Sequence, residues 1–160
     1  MGWDVDFVQR SRNRELIVTV VGLGYVGLPT LMGFYDSGFN VRGIDKSPDV
    51  IQRLNSGKTP LIDDVLETTI PHPLSERWSL TTNFDEAIPD SDIVIVTVPT
   101  PIDENLKPNL SYVKNAGINI FDNIKKGSKT IVILESTVYP GVTKQIWLPL
   151  LEERNLIVDE

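Results

Sequence analysis

The stretch Leu16-Ile17-Val18-Thr19-Val20-Val21-Gly22-Leu23-Gly24-Tyr25-Val26-Gly27 decides the fold. Its first six residues are almost wholly apolar and rich in β-branched side chains, which predicts a short strand buried on both faces, as in a parallel sheet. The last six fit G-x-G-x-x-G. Helical spacing follows over residues 26–37, and Gly38 stands where a C′ glycine stops a helix. A glycine turn that leaves a buried strand and opens a helix is the context in which this pattern cradles a phosphate. Gly22 allows the tight turn, Gly24 lets the backbone approach a pyrophosphate, and Gly27 lets the helix pack closely on the strand. The anion then meets free N–H groups and the favourable end of the helix dipole.

Residues 41–45 predict a second strand that ends in Asp45, 18 residues beyond Gly27. An acid at that point accepts hydrogen bonds from both hydroxyls of an adenosine ribose and repels a 2′-phosphate. The cofactor expected is therefore NAD rather than NADP. Lys46 works against this, because a neighbouring cation would tolerate the phosphate. Ser47-Pro48 opens a helix with an N-cap and a first-turn proline, and Gly57 closes it. Residues 58–77 carry three prolines and read as loop plus a short helix. Residues 78–81 predict a third strand, and Asn83 with Glu86 a capping box. Residues 92–98 and 130–134 are two further strong strands. Helices are expected over residues 110–125, closed by Gly127, and over 142–154, bent at Pro149. This alternation predicts an α/β fold with a doubly wound parallel sheet of Rossmann type. It forms one domain over residues 16–160, preceded by a polar extension over residues 1–15.

Composition narrows the function. The chain has 160 residues, 41% of them hydrophobic, enough for a single core. Lys and Arg number 15 against 22 Asp and Glu, and the net charge of −7 argues against a nucleic-acid partner or an anionic membrane surface. There is no Cys, so the chain itself offers no disulfide, thiolate metal site or thiol nucleophile. No apolar run approaches the ~18 residues of a membrane span, and the first 15 residues contain no apolar segment for secretion. A cytoplasmic domain without a metal site is expected. The single histidine, His72, reads as a loop residue, and Asp63, Asp64 and Glu67 as a solvated acidic patch. Asp85, Glu86, Asp90 and Asp92 read as helix and loop surface. Trp78 and Trp147 read as packing residues, and Asn109 and Ser111 as helix-cap residues. Tyr25 either covers a dinucleotide or packs.

In open α/β sheets, ligands sit outside the carboxyl ends of the strands. Two more strand ends carry unusual sequence: Val98-Pro99-Thr100-Pro101-Ile102-Asp103, and Glu135-Ser136-Thr137-Val138-Tyr139-Pro140-Gly141. Each alone reads equally as an ordinary Pro-Gly connector. Together, VVGLGYVGLPT (20–30), VPTPID (98–103) and ESTVYPGVT (135–143) resemble, in order and spacing, the N-terminal domain of the nucleotide-sugar 6-dehydrogenases. LNSGK (54–58) and PNLSY (108–112) fit as well. That family oxidises the C6 alcohol of UDP-glucose, UDP-N-acetylglucosamine or UDP-N-acetylmannosamine to a carboxylate with two NAD.

The resemblance implies roles by position. The turn residues Gly22, Leu23, Gly24, Tyr25, Val26 and Gly27, with Asp45 and Lys46, would hold the adenosine half of NAD. Val98, Pro99 and Thr100 would line the adenosine and nicotinamide-side ribose path. Glu135, Ser136 and Thr137 would lie near the nicotinamide, and Thr137 would hold a water or the substrate oxygen at the reacting carbon. The Tyr-Pro-Gly form of the third motif leans toward the N-acetylhexosamine branch. The family's Cys nucleophile and its assisting Lys and Asn belong to segments outside this sequence. The chain is therefore expected to be a fragment that binds NAD without turnover. It would belong to a longer protein that takes a UDP-sugar and assembles as a homodimer or larger through a later helix. Two other readings fit the glycine turn: a non-catalytic nucleotide-sensing module, and the cofactor domain of another hydroxyacid dehydrogenase.

Overall fold

The computed structural model describes residues 5–58, 75–102, 104 and 107–158. Among the described residues five strands form one sheet: β1 (Ile17–Val21), β2 (Asn40–Ile44), β3 (Trp78–Thr81), β4 (Ile93–Val96) and β5 (Ile131–Leu134). All neighbours are parallel and the order is β3-β2-β1-β4-β5. The helices are α1 (Val5–Arg12), α2 (Gly27–Asp36), α3 (Pro48–Asn55), α4 (Phe84–Ala87) and α5 (Ser111–Asn123). A π-helical turn, Thr143–Trp147, then runs into α6 (Leu148–Glu153).

Alternation along the strands explains the two layers. Val18, Val20, Val41 and Ile95 face Leu28, Leu31 and Met32 of α2 and Ile51 and Leu54 of α3. Val21, Ile44, Val94 and Val96 face the other way, onto Val113, Ala116, Ile120 and Phe121 of α5 with Trp147 and Leu150. Both faces of the sheet are thus covered, which is why β1 and β4 read as almost wholly apolar runs. Trp78 and Trp147 are buried, as expected of packing residues. Because β1 pairs with β2 on one side and β4 on the other, the chain reverses its strand order there. The crevice at the carboxyl ends of β1 and β4 is the topological switch point, where open α/β sheets bind ligands.

Four expectations need correction or completion. Asp92 is not a surface residue: it is only 8% exposed. Its carboxylate takes a two-pronged bond from the Arg10 guanidinium, at 2.7 and 2.8 Å, and accepts the Ile17 N–H at 2.9 Å. The Arg10 pKa is raised by this bond to Asp92. Within the polar extension, α1 is therefore tied to the amino-terminal edge of the sheet. Asn83 and Glu86 do not form a reciprocal capping box. The Asn83 amide instead donates to the Glu86 carboxylate at 2.7 Å, and Thr81 donates to its other oxygen at 2.6 Å. The last helix is not evenly α-helical. Leu148 donates back five residues to the Thr143 carbonyl, so Pro149 falls in the first turn of α6, where its missing N–H is not needed. Most of the loop read over residues 58–77, with His72, Asp63, Asp64 and Glu67, lies outside the described residues.

The remaining local signals hold. Ser47 caps α3, accepting the Val50 N–H at 3.4 Å, with Pro48 behind it. Asn109 accepts the Ser111 N–H at 3.0 Å at the head of α5. Among the described residues no helix is long and apolar enough to cross a membrane.

Candidate cofactor-binding site

The corner between β1 and α2 is built from contacts that exclude side chains. Gly22 has φ +95, and a Cβ there would stand 3.0 Å from the Thr97 carbonyl oxygen. Its N–H extends the ladder by donating to the Ile44 carbonyl at 2.8 Å. A Cβ on Gly27 would be driven into the Gly22 carbonyl and the Thr97 hydroxyl, so the first turn of α2 reaches the strand only because residue 27 is glycine. Gly24 differs: no atom beyond its chain neighbours lies within 4 Å of where its Cβ would be. The front of the corner is open.

The turn leaves donors exposed. The first bond of the helical pattern runs from the Leu28 N–H to the Gly24 carbonyl, at 3.0 Å. The N–H groups of Gly24, Tyr25 and Val26 have no partner among the described residues. The side chains of Tyr25 and Val26 are 63% and 56% exposed, whereas Leu23 is buried. Tyr25 therefore does not pack into the core.

Asp45 follows β2 directly and faces this corner. Its Oδ2 accepts the Leu23 N–H at 2.9 Å and its Oδ1 accepts the Ser47 N–H at 2.9 Å. Each oxygen keeps a second lone pair, so the carboxylate is fixed without being saturated. Lys46 turns away from it. Its ammonium stands 4.5 Å from the centroid of the Tyr112 ring, a cation–π contact with the first turn of α5.

The other two strand ends are stitched together. Ser136 donates its hydroxyl to the Val98 carbonyl at 2.7 Å, and Thr100 donates to the Thr137 carbonyl at 2.8 Å. The Glu135 N–H bonds the Val96 carbonyl at 2.9 Å. Pro99, Glu135 and Thr137 are exposed at this edge, and the Thr137 hydroxyl has no partner among the described residues. Thr97, which the motif pattern passes over, donates its hydroxyl to the Gly22 carbonyl at 2.7 Å. Its one visible signal is being the lone hydroxyl within the apolar run 93–98. Among the described residues no cluster of His, Cys, Asp or Glu is placed to hold a metal ion.

This donor and acceptor set fits a dinucleotide: free N–H groups at an open glycine corner for a diphosphate, and an anchored carboxylate beside it for a ribose diol. The profile of the UDP-glucose/GDP-mannose dehydrogenase family, NAD binding domain, matches residues 16–158. The chain belongs to that family and carries its NAD-binding domain. It is 41% identical over 141 residues to a UDP-N-acetyl-D-glucosamine 6-dehydrogenase of Pseudomonas aeruginosa, a match covering 88% of this chain and 32% of the relative. It is 35% identical to a UDP-N-acetyl-D-mannosamine dehydrogenase of Campylobacter jejuni, covering 86% of this chain and 33% of the relative. Among solved structures, the ternary complex of GDP-mannose dehydrogenase from Pseudomonas aeruginosa superposes with a TM-score of 0.79 at 32% identity, covering 86% of this chain and 32% of that one. The chain spans about a third of the length of the curated relatives it matches.

Proposed function

We propose that residues 16–160 are the cofactor domain of a nucleotide-sugar 6-dehydrogenase and that residues 1–15 are an extension to it. The observation that supports this most directly is the Asp45 carboxylate, bonded to the glycine corner through Leu23 while keeping lone pairs free. In this reading the N–H groups of Gly24, Tyr25 and Val26 receive the diphosphate, and Asp45 receives the adenosine ribose hydroxyls. A 2′-phosphate would meet the carboxylate as a like charge, and Lys46, engaged on Tyr112, does not neutralise it. Val98, Pro99 and Thr100 flank the path to the far end, where Glu135, Ser136 and Thr137 stand. NAD, when bound, supplies the hydride acceptor.

At that far end the hydroxyls of Ser136 and Thr100 already donate to backbone carbonyls. The exposed Thr137 hydroxyl is the one left to donate to and accept from a substrate oxygen, which supports it as the catalytic residue of this domain. The resemblance of the Tyr139-Pro140-Gly141 segment and the 41% identical relative favour a UDP-N-acetylhexosamine as substrate. The chain has no Cys. The thiol step is assigned to the rest of a longer cytoplasmic homo-oligomer that serves polysaccharide synthesis, and the chain alone binds NAD without turnover.

Calorimetry on the chain with NAD and with NADP tests the cofactor reading. NAD should bind at least about tenfold tighter, the scale of one uncompensated like-charge contact. Equal affinities would remove Asp45 from its role. A panel of UDP-sugars incubated with the complete protein and NAD, followed by the absorbance of reduced cofactor, identifies the substrate.

A further inference from the structure

Thr97 follows β4 directly and is half-buried. Its N–H donates to the Val21 carbonyl at 2.9 Å, which continues the β1–β4 ladder and fixes where its side chain stands. The hydroxyl lies 2.7 Å from the Gly22 carbonyl oxygen and 3.1 Å from that of Val21. A hydroxyl has one proton, so the shorter contact takes most of it. The Gly22 carbonyl shares one planar trans peptide with the Leu23 N–H, so the two point in opposite directions. That N–H donates to Asp45 Oδ2 at 2.9 Å. A single peptide group is therefore held from both sides, by the end of β4 and by the end of β2. Donors and acceptors alternate in one direction from Thr97 through the peptide to the carboxylate, an arrangement in which each bond polarises the next.

We propose that Thr97 is a positioning residue for the cofactor: its hydroxyl sets the rotation of the Gly22–Leu23 peptide and thereby holds the Asp45 carboxylate toward the crevice. This rests on the reading of Asp45 as the ribose acceptor. Without the hydroxyl, the carbonyl loses its donor and the peptide can tilt. The Leu23 N–H then turns from Oδ2, and Asp45 keeps only the anchor from Ser47 at Oδ1. The effect is partial, because one of two anchors is lost.

The test is NAD binding by calorimetry on the chain. Thr97→Val keeps the shape and removes the hydroxyl, and it should weaken NAD binding on the order of three- to tenfold, the scale of one net hydrogen bond. Thr97→Ser keeps the hydroxyl and should restore affinity to within about twofold of the parent. In an Asp45→Ala background, Thr97→Val should have little further effect, since both act through one carboxylate. Wild-type affinity in Thr97→Val, failure of Thr97→Ser to restore it, or losses that simply multiply would each overturn the proposal. If Asp45→Ala alone leaves NAD affinity unchanged, the reading of Asp45 fails first, whatever Thr97 does. Should Thr97→Val not fold, Thr97→Ala removes the same hydroxyl with less bulk. The amide proton resonance of Leu23 then reports the lost bond directly by moving upfield, and a resonance that stays in place overturns the proposal.

Discussion

Gly24 and Gly27 stand three residues apart and answer to different constraints. Gly27 is buried, and a methyl group there would collide with backbone, which cannot move aside as a flexible side chain could. Gly27→Ala should therefore destabilise the fold by about 1–3 kcal/mol, the usual scale of overpacking, read from denaturant unfolding. Gly24→Ala meets open space. It should leave the unfolding midpoint close to that of the parent and weaken NAD binding in calorimetry. Asp45→Ala should cost about 1–3 kcal/mol of NAD affinity if its charged hydrogen bonds to the ribose are lost. At this scale the sequence was readable where a residue type is demanded by its own backbone, as at the glycines and the Ser47-Pro48 cap. Thr97 was not. Threonine is an ordinary strand former, so nothing local marks the one whose hydroxyl reaches another strand's carbonyl.

The elements differ in the same way. Short apolar runs, helical spacing and caps announced β1, β2, α2 and α3, because each carries its own apolar face or terminus. Helix α1 carries no fully buried residue, and Phe7, Val8, Arg10 and Ser11 make only a half-buried stripe. It is held by Phe7, which packs partly buried against the core, and by a bond between Arg10 and Asp92, 82 residues apart, which no window of sequence can display. The same distance explains why Asp92 looked like one more surface acid. Arg10→Ala should lower unfolding free energy by about 1–2 kcal/mol, allowing for the partial exposure of its side chain. Asp92→Ala should cost more, because it also leaves the Ile17 N–H unpaired. Neither should alter NAD affinity. At the head of α4, the Thr81 hydroxyl and then the Asn83 amide lower the pKa of Glu86. A depressed carboxylate favours the folded state above its ordinary pKa, and that contribution disappears as the pH falls through the folded value. Thr81→Val should move the Glu86 titration upward toward the ordinary glutamate range, read by nuclear magnetic resonance.

For the whole molecule, the sheet order and the two covered faces gather every strand-end motif along one edge. The sequence alone could propose this because right-handed crossovers leave few alternatives for alternating strands and helices. Ligand binding at that edge should be felt by the entire fold. NAD at about a hundred times its dissociation constant adds roughly 2.7 kcal/mol to the unfolding free energy, and NADP at the same concentration should add less. Differential scanning calorimetry with the two cofactors separates them. Arg10→Ala should lower the melting temperature while leaving the NAD-induced rise intact, because the two effects belong to opposite edges.

That opposition has a practical side. Asp92 directly precedes β4 and Ile17 begins β1, whereas Val96 and Val21 end those strands, so the anchor of α1 and the glycine corner are separated by the length of a strand, about 15 Å. A dye or a sensor-chip linkage attached on α1, away from Arg10, would sit on the floor of the protein. The mouth would stay turned to the bulk liquid, where incoming nucleotide can be timed without the tether in its way.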